Sequence, residues 1–227
     1  MNVTEKRVRT FVGAVLLLWL VFVCILGANH AFIGAPGALP LPILAGFLMP
    51  ILVFLAAFWT VGPFRDFVMS IDLPVMAGIQ AWRFGGLGSI ALFAHGVLPG
   101  LFAWPAGLGD MAIGLTAPLV VLALRRQPTF ATGKLFRVWN LLGLLDLIVA
   151  VGLGAMCAVL GIGISDEIKT FPGGIAAGSC PDVPGAVFLM LHLASLLQAR
   201  RMGMAGRACA WTEPTIRCEP IEAMHKV

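Results

Sequence analysis

Apolar residues occur in this chain in runs that are longer than a soluble core element needs. Between Arg9 and Arg65 no side chain carries a charge, and Cys24 and His30 are the only titratable groups in that interval. A bilayer core of ~30 Å is crossed by a helix of ~20 apolar residues. The interval therefore predicts two membrane spans that are joined by a short loop.

Further apolar runs follow, and the whole pattern predicts an all-α, polytopic integral membrane protein with about six transmembrane helices. The predicted spans cover residues 11–28, 41–61, 78–103, 105–124, 138–160 and 183–197. Residues 1–201 would then form one transmembrane helical domain. The remaining residues, 202–227, are polar and aperiodic, which predicts a short, disordered cytoplasmic tail.

The start of the third span admits two interpretations. Asp72 precedes Leu73 and Pro74, which is a pattern typical of a helix N-cap followed by proline in the first turn. On this interpretation the helix begins near Leu73, before it enters the bilayer core. Alternatively, a short interfacial helix comes first and is followed by a break at Gly85 and Gly86.

Composition agrees with a membrane environment, and the basic residues predict the orientation. The chain is 59% hydrophobic and 11% charged, with a mean hydropathy of +0.97, whereas a soluble domain has about 25% charged residues. With the N-terminus inside, every Lys and Arg except Lys169 falls in a cytoplasmic segment, so both termini are predicted inside. The net charge of +4 is thereby explained by topology, without a nucleic-acid partner. We expect a multi-pass protein of the cell membrane, of the bacterial inner-membrane type, with the lipid bilayer as its partner.

A few polar side chains lie inside or beside the predicted spans, where such groups are costly and mark candidate functional sites. These residues are His95, Asp110, Asp146 and His192 within the spans, and Arg83 and Asn140 near their inner ends. Counting ~1.5 Å per residue puts His95, Asp146 and His192 close to the membrane midplane. Pro50, Pro99 and Pro118 free backbone carbonyls in the spans, which is tolerated where these carbonyls line a polar cavity. The pattern therefore predicts a polar pocket that is enclosed by the third, fourth, fifth and sixth spans.

Each of these residues also has a purely structural interpretation. Asp146 can serve only to neutralise Arg83, and Asp110 can cap the fourth helix, whose N-terminal dipole favours a carboxylate. A membrane histidine can simply hydrogen-bond a neighbouring helix. Glycines such as Gly107 and Gly143 are typical of close helix packing rather than of ligand-binding loops.

Three functional hypotheses follow. The first is a small transporter or permease, in which the six polar residues bind a substrate or protons. The second is an intramembrane redox or metal protein, in which His95 and His192 ligate a haem or a divalent metal. The third is a structural or accessory subunit, whose polar groups only hold helices together. A homo-oligomer is one alternative for the assembly, since six spans are few for a secondary transporter unless it dimerises. No catalytic motif favours an enzyme, and we expect no resident cofactor outside the second hypothesis.

The cysteines and the last outer loop add little to this choice. The five cysteines contain no C-x-x-C pair, so neither a zinc ribbon nor a thioredoxin-like redox site is indicated. A disulfide between Cys157 and Cys180 on the outer side is an alternative. Residues 161–182 are rich in Gly and Pro and form either a plain connector or a lid over the outer mouth.

Overall fold

The fold consists of helices joined by turns. The computed structural model describes residues 3–28, 41–162 and 182–211, and it has no β-strand within those ranges. The α-helices are α1 (Val3–Ala28), α2 (Leu41–Thr60), α3 (Gly62–Ser70), α4 (Leu73–Ile79), α5 (Leu87–Ala94), α6 (Gly100–Arg126), α7 (Lys134–Leu160) and α8 (Asp182–Trp211). Two 3₁₀ segments complete the order, η1 (Gln80–Gly86) and η2 (Pro128–Thr132). The all-α prediction is confirmed.

Several of these helices are compatible with a membrane protein. Three are long and apolar enough to cross a bilayer, over Arg7–Ile25, Gly100–Arg126 and Lys134–Leu160. A fourth results if α2 and α3, which are bent by 106° at Val61, count as one broken span. In α1 only 6% of the most apolar stretch is buried, which is compatible with a helix whose side chains face lipid. The prediction of six spans is thus supported in part, and the number of spans and the orientation stay predictions.

The third predicted span is interrupted rather than continuous. Helix α4 begins after Asp72, whose backbone carbonyl accepts hydrogen bonds from the amides of Val75 and Met76, although its side chain makes no capping bond. The helix then changes to 3₁₀ geometry in η1 and returns to α-helical geometry in α5. A 3₁₀ helix has poorer hydrogen-bond geometry than an α-helix, and a stretch of it within a longer helix often marks a hinge or a functional site. The structure therefore combines the two sequence interpretations, a start at Leu73 and a break that ends at Gly86.

The predicted boundary between the third and fourth spans, at Ala103 and Pro105, is wrong. The chain turns earlier, where Gly96 takes the left-handed backbone conformation with φ +73°, and Pro99 then forms the extended N-cap of α6. Proline has no amide hydrogen and a fixed φ, so it suits the start of a helix better than its interior. Helix α6 consequently begins at Gly100 and includes Pro105 and Pro118.

The core is divided into two apolar clusters, and α8 contributes to both. One cluster joins α4, α6, α7 and α8 around residues such as Met76, Ala117 and Phe136. The other joins α2, α7 and α8 around residues such as Phe47 and Leu189. Because α8 lies between these groups, its middle part is the most thoroughly buried helical surface in the described ranges.

Helix α8 also corrects the prediction of a disordered tail. It continues to Trp211, so residues 202–211 are helical instead of disordered. Residues 212–227 lie outside the described residues. The same holds for residues 163–181, which contain Lys169, Cys180 and nearly all of the loop for which a lid was considered.

Candidate functional site

A fully buried arginine, Arg83, forms the centre of the candidate site. Its Nε donates to Asp110 Oδ1 over 2.7 Å, and a terminal nitrogen donates to the carboxylate of Asp146. The other terminal nitrogen donates to the carbonyl of Gly143 over 3.3 Å and lies 3.2 Å from His192 Nε2. All three guanidinium nitrogens therefore have partners, which come from α6, α7 and α8. Asp146 is therefore an ion-pair partner of Arg83, as the sequence predicts, and Asp110 is a second such partner.

The histidine of this cluster is held in one neutral form. The guanidinium can only donate, so His192 Nε2 must accept from it. His192 Nδ1 consequently carries the hydrogen and donates to Asn140 Oδ1 over 2.9 Å. Asn140 Nδ2 in turn donates to the carbonyl of Phe136 over 2.8 Å, which fixes the orientation of the amide. The indole of Trp139 packs edge-on against the imidazole, with ring centroids 5.3 Å apart.

The geometry of η1 directs Arg83 into the protein. A 3₁₀ helix has three residues per turn, so positions three apart share one face. In η1 that face is formed by Gln80, Arg83 and Gly86, which are the buried residues of the segment. A change from α-helical to 3₁₀ geometry thus aligns the arginine with the interior, whereas Trp82 on another face is exposed.

Glycines provide the space in which the polar groups meet. A Cβ added to Gly114 of α6 would lie 2.9 Å from the backbone carbonyl carbon of Arg83, so α6 and η1 are in backbone contact there. A Cβ on Gly143 would overlap the imidazole of His192, and one on Gly109 would overlap the carboxylate of Asp146. The sequence interpretation of Gly107, Gly114 and Gly143 as packing positions therefore agrees with their surroundings. Gly143 packs against a side chain of the polar cluster, Gly114 against the backbone of η1, and Gly107 against Ile90 and the carbonyl of Gly86.

Five of the six predicted polar residues come together in this cluster, and His95 does not. His95 lies in the turn after α5 and is exposed. The prediction that Asp110 caps a helix is also wrong, because α6 begins at Gly100 and Asp110 lies well inside it. Both errors have one cause, since the chain breaks at Gly96–Pro99 instead of beside Trp104.

The geometry does not support a haem held between two histidines. His192 is fully buried and both of its ring nitrogens already have partners, whereas His95 is exposed at the end of α5. Within the described ranges, no three His, Cys, Asp or Glu side chains are grouped so that they could hold a metal ion. The two carboxylates that do approach each other share a guanidinium, which competes with any cation for their oxygens.

Three uncharged polar residues were not predicted as site residues and are nevertheless buried. Gln80 donates from Nε2 to the carbonyl of Phe188 over 3.0 Å, and Ser195 Oγ lies 3.9 Å from the sulfur of Met76. Gln198 donates from Nε2 to two backbone carbonyls near the end of α3, those of Val68 and Ile71. The signal that could have revealed Ser195 and Gln198 is their spacing from His192, which repeats every three residues and puts them on one side of α8.

Comparison with known protein families gives a match to one family over most of the chain. A family described as "Domain of unknown function (DUF8737)" matches residues 39–200, which include every residue of the cluster. The chain belongs to this family. No curated protein and no solved structure matched the chain. The family match begins after α1, so the part it covers starts just before α2 and ends within α8.

Proposed function

We propose that the protein is a small, multi-pass transporter- or permease-like protein of the cell membrane, of the bacterial inner-membrane type with both termini inside. In this proposal the cluster around Arg83 takes up and releases the proton that drives or accompanies transport. Interrupted helices next to charged groups are a recurrent feature of membrane transporters. The position of Arg83 on η1, between α4 and α5, supports the same interpretation here.

The charge balance of the cluster is the observation that carries this proposal. One guanidinium contacts two carboxylates, and His192 is neutral in the hydrogen-bonding pattern described above. The sum is therefore −1 when both carboxylates are ionised and zero when one of them holds a proton. In a medium of low dielectric constant these two states differ strongly in their electrostatic energy. Because of this difference, the number of protons bound by the two carboxylates is coupled to the packing of the surrounding helices.

The chemistry of the three charged groups assigns them different roles. The side chain of Arg83 has no exposed surface, whereas those of Asp110 and Asp146 are 29% and 13% exposed. A guanidinium stays protonated in proteins, so a proton that reaches the cluster is taken up by a carboxylate. In our proposal the aspartates exchange the proton, and Arg83 is a fixed positive charge that holds them together.

Proton flux into proteoliposomes, followed with an enclosed pH-sensitive dye, tests this proposal directly. We expect Asp110→Asn and Asp146→Asn to abolish the flux, because each removes one of the two proton-exchanging groups. Asp66→Asn is the matched control, since Asp66 lies on α3, is exposed, and changes the net charge by the same amount. Wild-type flux in both cluster variants would contradict the proposed role of the carboxylates.

A structural or accessory subunit is the second candidate, and the complete hydrogen bonding of Arg83 favours it. A guanidinium that is used by three helices can hold a bundle together without exchanging any proton. In that case purified wild-type protein produces no flux above that of protein-free liposomes. The two aspartate variants then lower the melting temperature and change nothing else.

A further inference from the structure

Six polar residues are buried in the described ranges. They are Gln80, Arg83, Asn140, His192, Ser195 and Gln198. We refer to the three outside the charged cluster, Gln80, Ser195 and Gln198, as the polar seam. Each of them is at most 7% exposed, and each contacts an atom on the opposite side of the interface between α8 and the α3–α4–η1 segment. Their contacts run in antiparallel order along that interface.

The seam connects the charged cluster with one end of the bundle. At one end, Gln80 and Arg83 share a face of η1 and contact Phe188 and His192, one turn apart on α8. Ser195 follows opposite Met76 of α4. Gln198 lies at the other end, where the chain passes from α3 to α4. The orientation predicted from the basic residues makes this end cytoplasmic.

An unsatisfied atom in the seam points to a ligand. The Oε1 of Gln80 is buried and has no hydrogen-bond partner in the part of the chain that the structure describes. Rotating the amide would not help, because the oxygen would then face the carbonyl of Phe188 and the nitrogen would lose its acceptor. An unpartnered buried acceptor costs roughly 1–3 kcal/mol. A small hydrogen-bond donor beside Oε1 would remove this cost, and buried water commonly has that role.

We propose that Gln80, Ser195 and Gln198 line a water-filled route from the α3–α4 junction to the Arg83 cluster. This inference rests on the proposed function, because it supplies the proton that the aspartates exchange. The proton crosses the route from one water to the next, so that each water gains one O–H bond and gives up another. His192 stays neutral at the inner end, where its hydrogen bonds orient Arg83. Uncharged polar side chains suit such a route, since they bind water without trapping the proton.

Cysteine accessibility tests the route without any measurement of transport. Ser195→Cys and Ala194→Cys are made in a background in which all five native cysteines are replaced by alanine. The two positions are adjacent on α8 and both buried, but Ala194 belongs to an apolar cluster. We expect a small, hydrophilic, membrane-impermeant thiol reagent, added to inside-out vesicles, to label Ser195→Cys and to leave Ala194→Cys unlabelled. Equal absence of labelling at both positions would overturn the route.

Substitution of Gln80 gives a second and independent test. Gln80→Met keeps the length of the side chain and removes both its donor and its acceptor. If a water binds at Oε1, we expect a lower melting temperature together with a proton flux that falls by about tenfold, as loss of one hydrogen bond at a rate-limiting position allows. If nothing binds there, the flux is unchanged. The flux decides between the two outcomes, because the variant also loses the bond from Nε2 to the carbonyl of Phe188 and its melting temperature reflects that loss as well.

The two proposals fail in distinguishable ways. Labelling of Ser195→Cys in a protein that produces no wild-type proton flux would keep the water route and reject the proton-transport function. Normal flux in a protein whose Ser195→Cys stays unlabelled, and whose Gln80→Met variant is fully active, would reject the route and keep the function.

Discussion

Arg83 is a residue whose side chain has no simple replacement. The N–H groups of its planar guanidinium contact Asp110 on α6, Asp146 on α7 and His192 on α8 at the same time. A lysine carries the same charge on a single nitrogen, so it cannot reach three helices that approach from different directions. The geometry of the guanidinium, rather than its charge alone, therefore determines how these helices meet.

We predict that Arg83→Lys lowers the melting temperature of the purified protein strongly. Each charge-assisted hydrogen bond that is lost should reduce the free energy of unfolding by roughly 1.5–3 kcal/mol. Arg65→Lys, at an exposed position on α3, provides the control and should leave the melting temperature unchanged. Thermal unfolding in detergent measures both variants, and equal stability of the two would show that the charge alone is sufficient.

The membership of the charged cluster could largely be predicted from individual residues, but its geometry could not. Polar residues in apolar runs are conspicuous, so Asp110, Asp146 and His192 were identified by type. His95 is the exception, because depth along one continuous helix puts it near the midplane, whereas the turn at Gly96 removes it from the bundle. Gln80 was not selected as a site residue because an uncharged side chain near a span end does not reveal which way it faces.

At the scale of elements, glycines decide how closely α7 approaches α8. Gly143 faces the imidazole of His192, whereas a Cβ on Gly152, further along the same helix, would meet no atom within 4 Å. The same residue type therefore has two different roles in one helix. The difference depends on the neighbouring helix and has no signature in the local sequence.

We predict opposite effects of alanine at these two glycines. Gly143→Ala should displace His192 and with it Arg83, which lowers the melting temperature and, under the proposed function, the proton flux. Gly152→Ala should be neutral or slightly stabilising, because alanine is favoured over glycine in a helix by about 0.5–1 kcal/mol. Parallel thermal unfolding of the two variants measures this contrast. Similar losses in both would indicate that glycine flexibility in α7, and not the contact with His192, is what matters.

The interruptions of the helices were harder to predict than the helices themselves. Long apolar runs identify α1, α2, α6 and α7 because hydropathy is a property of composition. Proline does not identify breaks in the same way, since Pro118 lies inside α6 while Pro99 precedes that helix. A proline removes one backbone hydrogen bond from a helix, and neighbouring helices can satisfy the carbonyl that is left free. Whether a given proline interrupts a helix therefore depends on the neighbouring helices.

At the scale of the whole molecule, the number of membrane spans and the direction in which they cross the membrane are predictions. The basic residues put the α6–α7 connection, which contains η2, on the cytoplasmic side. Reporter fusions at Gln127 and Gly173 measure this orientation. We expect the fusion at Gln127 to report inside and the fusion at Gly173 to report outside. The reverse result would also move the end of the polar seam to the outer face.

The order of the cluster residues along the chain has a consequence for biosynthesis. Arg83 is translated before Asp110, and Asp110 before Asp146 and His192. An arginine at the centre of a single membrane helix costs about 2.5–3.5 kcal/mol on insertion scales, and one nearer a helix end, as the sequence predicts for Arg83, costs less. If the chain inserts into a membrane as we propose, the interrupted segment formed by α4, η1 and α5 should wait at the insertion machinery until α6 arrives with the first carboxylate. The two would then enter the lipid together as a hairpin, with the ion pair already formed.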